Sequence, residues 1–245
     1  MEPTGIRLLD ELLGGGFPRP AAVGIVGPVG SGKSTLVKQI AANALERDFH
    51  VQYYAIDESA EDVRDAIAAH GIDVEKYESQ DNLSFVDLFA LGIERLSESL
   101  PVNDPETIVN ASLKLSDLVA QGRNYSLRHL GKKQMGIMDS ITPIFLMLEA
   151  RKVFQFEQVL KYATRFTKSI GIATVHTQVL DQNIENAMIN FADVAIGLER
   201  RKTSQGSSNG GTLRVIKNGK NPVSSRAYYY DFTPSGIELS PSAIV

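Results

Sequence analysis

Short apolar runs alternate with longer amphipathic stretches between residues 21 and 191 of the chain. The apolar runs have the length and composition of buried parallel strands, and they lie at residues 21–26, 51–56, 83–88, 134–139 and 171–175. In the stretches between them apolar residues recur three or four positions apart, which is the spacing of an amphipathic helix. Strands that alternate with helices predict an α/β fold, a central mostly parallel sheet flanked by helices.

The same periodicity predicts helices at residues 8–13, 34–46, 60–70, 106–120 and 149–170. Glycines follow several of these segments, as at the run 14–16 after the first helix and at Gly71 after the third. Two polar connections, residues 92–105 and 121–133, carry turn-forming residues and are expected to be loops at the surface.

From residue 192 onward the pattern changes to short strands without helices between them. Four strands are predicted at residues 194–198, 211–217, 226–231 and 236–239, with turn signals such as Asn218-Gly219 between them. They predict an antiparallel extension of the sheet, and the polar stretch 200–210 is expected to be a mobile loop. The 245 residues suit a single domain, with an N-terminal segment (1–20) and a C-terminal β-hairpin extension (192–245).

The composition narrows the class of protein. The chain has no cysteine, which removes disulfides and thiolate metal sites and fits a cytoplasmic protein. No apolar run approaches the ~20 residues of a membrane helix, and residues 1–4 lead into no signal-peptide pattern, so membrane insertion is not expected. The formal net charge of −4 disfavours a duplex-DNA binder, although basic clusters at 123–133 and 200–220 leave nucleic-acid binding open.

The strongest candidate for chemistry lies between the first predicted strand and the helix after it. The segment Gly27-Pro28-Val29-Gly30-Ser31-Gly32-Lys33-Ser34 has the spacing G-x-x-x-x-G-K-[ST] of a phosphate-binding loop. Its glycines allow a tight turn whose N–H groups point at an anion, and Thr35 lies at the start of a helix whose dipole favours the same anion. Lys33 is expected to reach the β- and γ-phosphates, and the Ser34 hydroxyl to bind Mg²⁺.

Two carboxylates follow the second predicted strand, at the strand end where functional residues of α/β proteins collect. Ser59 with Asp62 three positions later resembles a capping box, so Asp57 and Glu58 are not needed to cap the next helix. Both are candidates for activating a water molecule, with Glu58 placed ahead of Asp57. The competing explanation is that they are ordinary acids near a helix N-terminus, where the helix dipole favours negative charge.

Polar residues also follow the fourth and fifth predicted strands. The apolar strand that ends at Asp139 has the Walker B pattern, and Asp139 is expected to hold Mg²⁺ through water or together with Ser34. His176, Thr177 and Gln178 follow the fifth strand, and one of them is a candidate sensor of the γ-phosphate. A structural role for the histidine is an equal alternative.

These segments together resemble the RecA/KaiC superfamily of ATPases, specifically its single-domain KaiC-like members common in archaea. The segment from Thr4 to Gly16 matches the pattern T-G-I-x-x-L-D-x-x-L-x-G-G, and the phosphate loop matches in full. Asp57-Glu58 stands in the place of the family's acidic pair, and Asp139-Ser140 matches its Walker B dipeptide. Order and spacing agree from Thr4 to about Leu239.

The resemblance implies a RecA-like ATPase that uses ATP and Mg²⁺. Such proteins usually form hexameric rings or filaments with ATP between subunits, so a homo-oligomer is expected, with a hexamer as one form. In the family a Lys-x-Arg or Lys-x-Lys pair on a late hairpin completes the neighbouring subunit's site. Lys217 matches the first basic residue, Gly219 stands in place of the second, and Lys220 follows one position later. Lys217 and Lys220 are therefore the candidate trans-acting residues, and the departure is compatible with slow hydrolysis.

Three functions remain open on the sequence alone. The first is an ATP-hydrolysing switch or assembly factor whose oligomerisation or partner binding depends on nucleotide. The second is an ATP-binding regulatory subunit with little turnover, like the accessory subunit of the archaellum motor, which resembles the same family. The third is a recombination mediator that binds single-stranded DNA, which is not favoured because residues 179–190 carry no Lys, Arg or aromatic residue. Autokinase activity would need an acceptor hydroxyl that the sequence does not single out.

Overall fold

One nine-stranded sheet organises the protein, whose computed structural model describes residues 1–88, 115–147, 149–203, 206–219, 222–223 and 226–241. The strands are β1 (Ala21–Gly27), β2 (Phe49–Ala55), β3 (Leu83–Asp87), β4 (Lys133–Asp139), β5 (Ile170–His176), β6 (Val194–Thr203), β7 (Gly206–Asn218), β8 (Ala227–Thr233) and β9 (Gly236–Pro241). They lie in the order β3-β2-β4-β5-β1-β6-β7-β8-β9.

Helices pack against the sheet and connect its parallel strands. They are α1 (Arg7–Leu13), α2 (Lys33–Leu45), α3 (Ala60–Ala68), α4 (Val74–Ser79), α5 (Leu115–Arg128), α6 (Thr142–Met147), α7 (Ala150–Thr167) and α8 (Gln182–Phe191). Within the described ranges, none of the helices has both the length and the apolar composition needed to cross a membrane.

The sheet is parallel from β3 to β6 and antiparallel from β6 to β9. This arrangement confirms the predicted α/β class with a C-terminal antiparallel extension. β1 lies between β5 and β6 and is the fifth of the nine strands, so the loop that follows β1 emerges from the middle of the whole sheet. Ligands of such sheets bind at the carboxyl ends of the central strands.

Local interactions explain where the first helices begin and end. Gly14 takes a left-handed backbone conformation (φ 75°) and caps α1. The Asp10 carboxylate accepts hydrogen bonds from the Thr4 backbone N–H (2.7 Å) and hydroxyl (2.8 Å), which anchors the N-terminal segment. At the start of α3, Ser59 Oγ accepts a hydrogen bond from the Asp62 N–H at 3.1 Å, so the predicted cap is confirmed.

The described residues form two hydrophobic cores on opposite faces of the sheet. The core on the face toward α1, α2 and α3 is the larger and contains fully buried side chains such as Ile25, Tyr53 and Ile137. The core toward α5 and α7 is smaller and includes Met138 and Phe156. The phosphate loop and the acids lie at the carboxyl ends of strands that have a hydrophobic core on each face.

Two predicted loops are wrong. Residues 121–128 continue helix α5, because Tyr125 is buried and its hydroxyl donates to the Val51 carbonyl at 3.1 Å. Most of the stretch 200–210 is strand, since β6 and β7 pair in antiparallel register from Val194↔Asn218 to Thr203↔Gly206. A polar sequence can form an antiparallel strand pair as well as a loop, because such a pair can face water.

Other predictions shift or fall outside the description. Lys168 takes a left-handed conformation (φ 54°) and ends α7, so the helix predicted to reach residue 170 stops at Thr167. The helix predicted at 106–120 is described only from Leu115 onward, and the loop predicted at 92–105 lies outside the described residues. Helices α4, α6 and α8 were not predicted, and α4 and α6 are only six residues long each.

Candidate nucleotide-binding site

The phosphate-loop segment forms the turn between β1 and α2. Gly30 and Gly32 take left-handed φ angles of 74° and 82°, which residues with a side chain rarely adopt. α2 begins at Lys33, so the free N–H groups of its first turn are available to an anion in the loop. The strand, glycine turn and helix thus have the order and conformation of a phosphate site.

The Lys33 side chain is buried and folds back over the loop. Its Nζ donates to the carbonyl oxygens of Gly27 and Pro28, at 2.9 Å each. Burial lowers the pKa of Lys33 to about 8, while the carboxylates of Asp139 and Asp57 act against that shift. A phosphate in the loop would favour the charged form of Lys33, which suits this ammonium group to bind one.

Asp139 is the centre of a buried hydrogen-bond network at the end of β4. Its Oδ1 accepts hydrogen bonds from the Ser34 hydroxyl (3.2 Å) and the Thr174 hydroxyl (2.6 Å). Its Oδ2 accepts one from the Tyr53 hydroxyl at 2.7 Å, and burial raises the pKa of Tyr53 well above its usual value, so this donor keeps its proton. The Asp139–Ser140 peptide bond is cis. Three donors from separate elements therefore fix the carboxylate beside Ser34.

The residues around the loop fit a magnesium nucleotide. Ser31 Oγ is buried without a hydrogen-bond partner, so the loop holds an unused donor for a phosphate oxygen. Ser34 Oγ and Asp139 Oδ1 are the hard oxygen ligands that Mg²⁺ prefers. No cluster of three or more His, Cys, Asp or Glu in the described ranges could hold a metal, so a cation here would depend on these two oxygens, water and the nucleotide.

The two candidate acids after β2 have different partners. Glu58 Oε1 forms an ion pair with Lys38 Nζ of α2 at 2.6 Å, and the Lys38 side chain is largely buried. Asp57 Oδ2 lies 3.1 Å from His176 Nε2, and Asp57 is also close enough to raise the pKa of Lys33. The structure therefore brings Asp57 together with His176 near the phosphate loop, while Glu58 is held against the side of α2.

The three candidate sensor residues after β5 have separate environments. His176 donates its backbone N–H to Thr142 Oγ1 at 2.8 Å, and its buried Nδ1 has no hydrogen-bond partner. The Thr177 N–H donates to the Gly27 carbonyl at 3.0 Å, which ties it to the base of the phosphate loop. Gln178 takes a left-handed conformation and its N–H donates to a carboxylate of α8. His176 is thus the one of the three whose side chain contacts a candidate acid.

The late hairpin holds the candidate trans-acting residues. Lys217 lies near the end of β7 and its Nζ donates to the backbone carbonyl of Asn190, near the C-terminal end of α8, at 2.6 Å. Lys220 lies outside the described residues. Lys217 is therefore directed to its own chain in the monomer.

A scan against models of protein families matches residues 2–244 to the family described as ATPase: KaiC. The chain belongs to this family. The match spans the phosphate loop, the acids after β2, Asp139 and the C-terminal strands, so it covers every segment on which the RecA/KaiC resemblance depended. That resemblance is confirmed.

Curated relatives of the chain are proteins of the UPF0273 group. One from Aeropyrum pernix is 32% identical over 162 residues, which are 64% of this chain and 62% of the relative. Another, MJ1359 from Methanocaldococcus jannaschii, is 30% identical over 163 residues, which are 64% of each chain. The chain thus matches less than two thirds of the length of these relatives.

Solved structures with the same fold cover nearly the whole KaiC-like chain. The KaiC-like protein PH0186 from Pyrococcus horikoshii superposes with a TM-score of 0.74 at 22% identity, over 98% of both chains. The flagellar accessory protein FlaH from M. jannaschii superposes with a TM-score of 0.73 at 19% identity, over 96% of this chain and 95% of FlaH. At these identities the likeness establishes the fold.

For two residues of the site, Thr174 and Lys38, the sequence holds only a weak signal, a polar residue at a position expected to be buried. Thr174 is a polar residue inside an apolar strand, and Lys38 is a buried cation on a helix that packs against the sheet. Polar residues at such positions need a partner, and here the partners are Asp139 and Glu58.

Other residues of the KaiC-like site carry no local signal. Tyr230 of β8 donates its hydroxyl to the Ser31 carbonyl at 2.7 Å. A Cβ atom added at Gly32 would meet the Phe232 ring at 2.6 Å, and one added at Gly30 would meet Arg200 Nη1 at 3.3 Å. These contacts join the phosphate loop to the C-terminal strands, which lie far away along the chain.

Proposed function

We propose that this KaiC-family chain binds ATP with Mg²⁺ at the phosphate loop, hydrolyses it, and acts as a nucleotide-dependent oligomeric switch or assembly factor. The observation that carries the proposal is the Asp139 carboxylate, held 3.2 Å from Ser34 Oγ by additional hydrogen bonds from Tyr53 and Thr174. A carboxylate and a loop hydroxyl fixed in this way at the start of α2 form a ready cation site beside the phosphates.

Each residue of the loop has a separate task in this proposal. The N–H groups of the loop and Lys33 Nζ bind the phosphate oxygens. Ser34 and Asp139 hold Mg²⁺, which when bound neutralises negative charge on the transferred phosphoryl group. A carboxylate near Lys33 orients the attacking water and accepts its proton.

The contacts favour Asp57 over Glu58 as the residue that orients water. Asp57 interacts with Lys33, and its Oδ2 lies 3.1 Å from His176 Nε2. A hydrogen bond from the His176 ring can hold the Asp57 carboxylate in place. Glu58 is engaged by Lys38 at 2.6 Å. This reverses the order that the sequence suggested, and the reversal is itself testable.

The test compares three variants in ATP binding and steady-state phosphate release. Lys33→Ala should abolish ATP binding, because it removes the cation of the loop. Asp57→Asn should keep ATP binding and lower turnover by about 10²–10⁴-fold, the usual contribution of a general base. Glu58→Gln should lower turnover less, and a larger loss in Glu58→Gln than in Asp57→Asn would reassign the base.

The oligomeric part of the proposal places ATP between subunits of a homo-oligomer, a hexamer being one form. It is supported by the family match and by the position of Lys217 on a late hairpin. To act in trans, Lys217 would have to release the Asn190 carbonyl and bind a phosphate in the site of a neighbouring subunit. Light scattering with and without ATP and Mg²⁺ tests it. An unchanged monomer mass at all ATP concentrations would remove this part.

A second candidate function is an ATP-binding subunit with little turnover. The observation that favours it is that both acids are already paired, Glu58 with Lys38 and Asp57 with His176. The fold neighbour FlaH is named as a flagellar accessory protein, which fits a regulatory role. Tight ATP binding with phosphate release at background, unaffected by Asp57→Asn, would favour this candidate over the hydrolytic switch.

A further inference from the structure

A cavity of about 390 Å³ lies on the face of the sheet that is covered by α5 and α7. Its floor is a row of residues that stand side by side on four strands. These are Gln52 of β2, Gly136 of β4, Gly171 of β5 and Ala22 of β1, called the glycine row below. Because partners in parallel strands share a face, the three small residues of the row, Gly136, Gly171 and Ala22, leave one continuous space under the helices, and Gln52 borders it.

The space at the centre of the glycine row is open. A Cβ atom added at Gly136 would meet no atom within 4 Å. At Gly171 a side chain would meet Thr164 of α7 at 3.0 Å, so the space narrows toward that side. The walls are mostly apolar, and the volume is in the range of small-molecule sites.

One ionisable side chain of α7 lines this cavity without a partner. Glu157 is 7% exposed, and its buried Oε2 makes no hydrogen bond. Lys161, one helical turn later, makes no hydrogen bond to Glu157, because Lys161 Nζ donates to the Phe191 carbonyl and pairs with Asp193 at 3.3 Å. Buried carboxyl groups normally have a hydrogen-bond partner, so this group marks a place where a partner is missing.

The cavity is separate from the nucleotide site. None of residues 27–34 lines it. Its border includes three apolar side chains of α7 that are exposed to solvent, Val159, Tyr162 and Phe166. A ligand could therefore enter along α7 without displacing the phosphate loop.

We propose that this cavity is a second binding site, for a small apolar molecule that carries one primary amine, with the amine on Glu157 and the apolar part over the glycine row. An ammonium group supplies the hydrogen-bond donor that Glu157 lacks, and its positive charge strengthens that bond. The apolar walls and the open space at Gly136 accept the hydrocarbon part. The site is independent of the proposed ATPase activity.

Binding of the amine should release a proton. Burial raises the pKa of Glu157 to about 8, although the Lys161 ammonium opposes this shift, so at pH 7 the free protein holds Glu157 mostly protonated. Besides Glu157 and Lys161, the ionisable groups that line the cavity are Arg123 of α5 and the hydroxyls of Tyr54, Tyr125 and Tyr162. Burial raises the pKa of Tyr54 and of Tyr125 above the usual value, so these two hydroxyls stay protonated at this pH. An ammonium group beside Glu157 favours the carboxylate, so the proton leaves as the amine binds.

The experiment is calorimetry of the full chain at pH 7 with hexylamine, hexanol and hexanoate, in two buffers of different ionisation enthalpy. Hexylamine should bind about tenfold more tightly than hexanol, as expected for a charge-assisted hydrogen bond, with proton release, and hexanoate should bind most weakly. Glu157→Gln should remove the preference and the proton release. The matched control Glu149→Gln, which changes an exposed carboxylate before the same helix, should leave both intact.

A second variant tests the space rather than the charge. Gly136→Val should abolish hexylamine binding without lowering the melting temperature, because a Cβ atom at this position meets nothing within 4 Å and the valine methyl groups would occupy the cavity. Hexylamine should still bind to Lys33→Ala, which separates this proposal from the ATPase. Equal affinity for hexylamine and hexanol, binding retained in Gly136→Val, or a lower melting temperature of Gly136→Val would each overturn the proposal.

Discussion

The two faces of the central sheet come from the same strands but are packed in different ways. On the face toward α2, Tyr53, Ile137 and Ile172 stand side by side, and each is almost completely buried. On the opposite face, one position along each strand, the glycine row leaves a cavity of about 390 Å³. Because successive side chains of a strand point to opposite faces, one residue can fill the dense core while its neighbour leaves space on the other face.

The densely packed face supports the candidate nucleotide site. Tyr53 belongs to the dense face, and its hydroxyl holds Asp139 at 2.7 Å. Lys38 and Ser34 belong to α2, which packs on that same face. The candidate nucleotide site thus rests on the side with little free volume, while the side that could adapt to a ligand lies behind it.

The largest expected difference between the faces is in large-to-small substitutions at two adjacent residues of β4. Ile137→Ala should destabilise the fold by about 2–5 kcal/mol, because Ile137 is fully buried on the dense face and leaves a new cavity. Met138→Ala should destabilise the fold by about 2 kcal/mol, near the lower end of that range, because Met138 already borders free space. Urea denaturation measures both, and an equal or greater loss for Met138→Ala would contradict the comparison.

Glu157 should make the loosely packed face sensitive to pH. Its pKa is raised from 4.5 to about 8 by burial, so between these values the folded state holds a proton that the unfolded state has lost. Stability should therefore fall as pH rises through this window, by at most about 3 kcal/mol from pH 5 to pH 7. Unfolding of the wild type and Glu157→Gln at several pH values checks this, and parallel pH profiles would exclude it.

Tyr53→Phe should produce a smaller effect that links the dense face to the site. It removes one of the hydrogen bonds to Asp139, which should lower stability by about 1.5 kcal/mol. The Mg²⁺ dependence of ATP binding should weaken as well, because the carboxylate loses a support. The control Tyr54→Phe removes a hydroxyl that donates to Gln52 on the other face, and it should leave the Mg²⁺ dependence unchanged.

The sequence was most informative where a few neighbouring residues determine both conformation and chemistry. The phosphate loop needs glycines at fixed positions, and the observed left-handed angles at Gly30 and Gly32 follow from that need. The position of Asp139 near the phosphate loop is predictable, because an acid at the end of an apolar strand lies at the carboxyl edge of a parallel sheet. Alternating strands and helices likewise gave the fold class.

The sequence was least informative about contacts between distant segments. Which donors reach Asp139 depends on β2 and β5 flanking β4, and no local pattern encodes that strand order. The pairing of Glu58 with Lys38 and the approach of Tyr230 to the loop have the same origin. The polar sequences at 121–128 and 200–210 misled for a related reason, since their structure comes from tertiary pairing rather than propensity.

The smallest expected effect tests the glycine row itself. Gly136→Ala should stabilise the protein by about 0.4–1 kcal/mol, because it restricts the unfolded chain and its methyl group meets nothing in the folded one. Gly171→Ala, the adjacent position in the row, should give no gain, since its methyl group would approach Thr164 at 3.0 Å. Thermal unfolding of the pair measures the contrast. A gain of the same size at both positions would mean that the space over the row is uniform, and a loss at Gly136 would mean that it is not open.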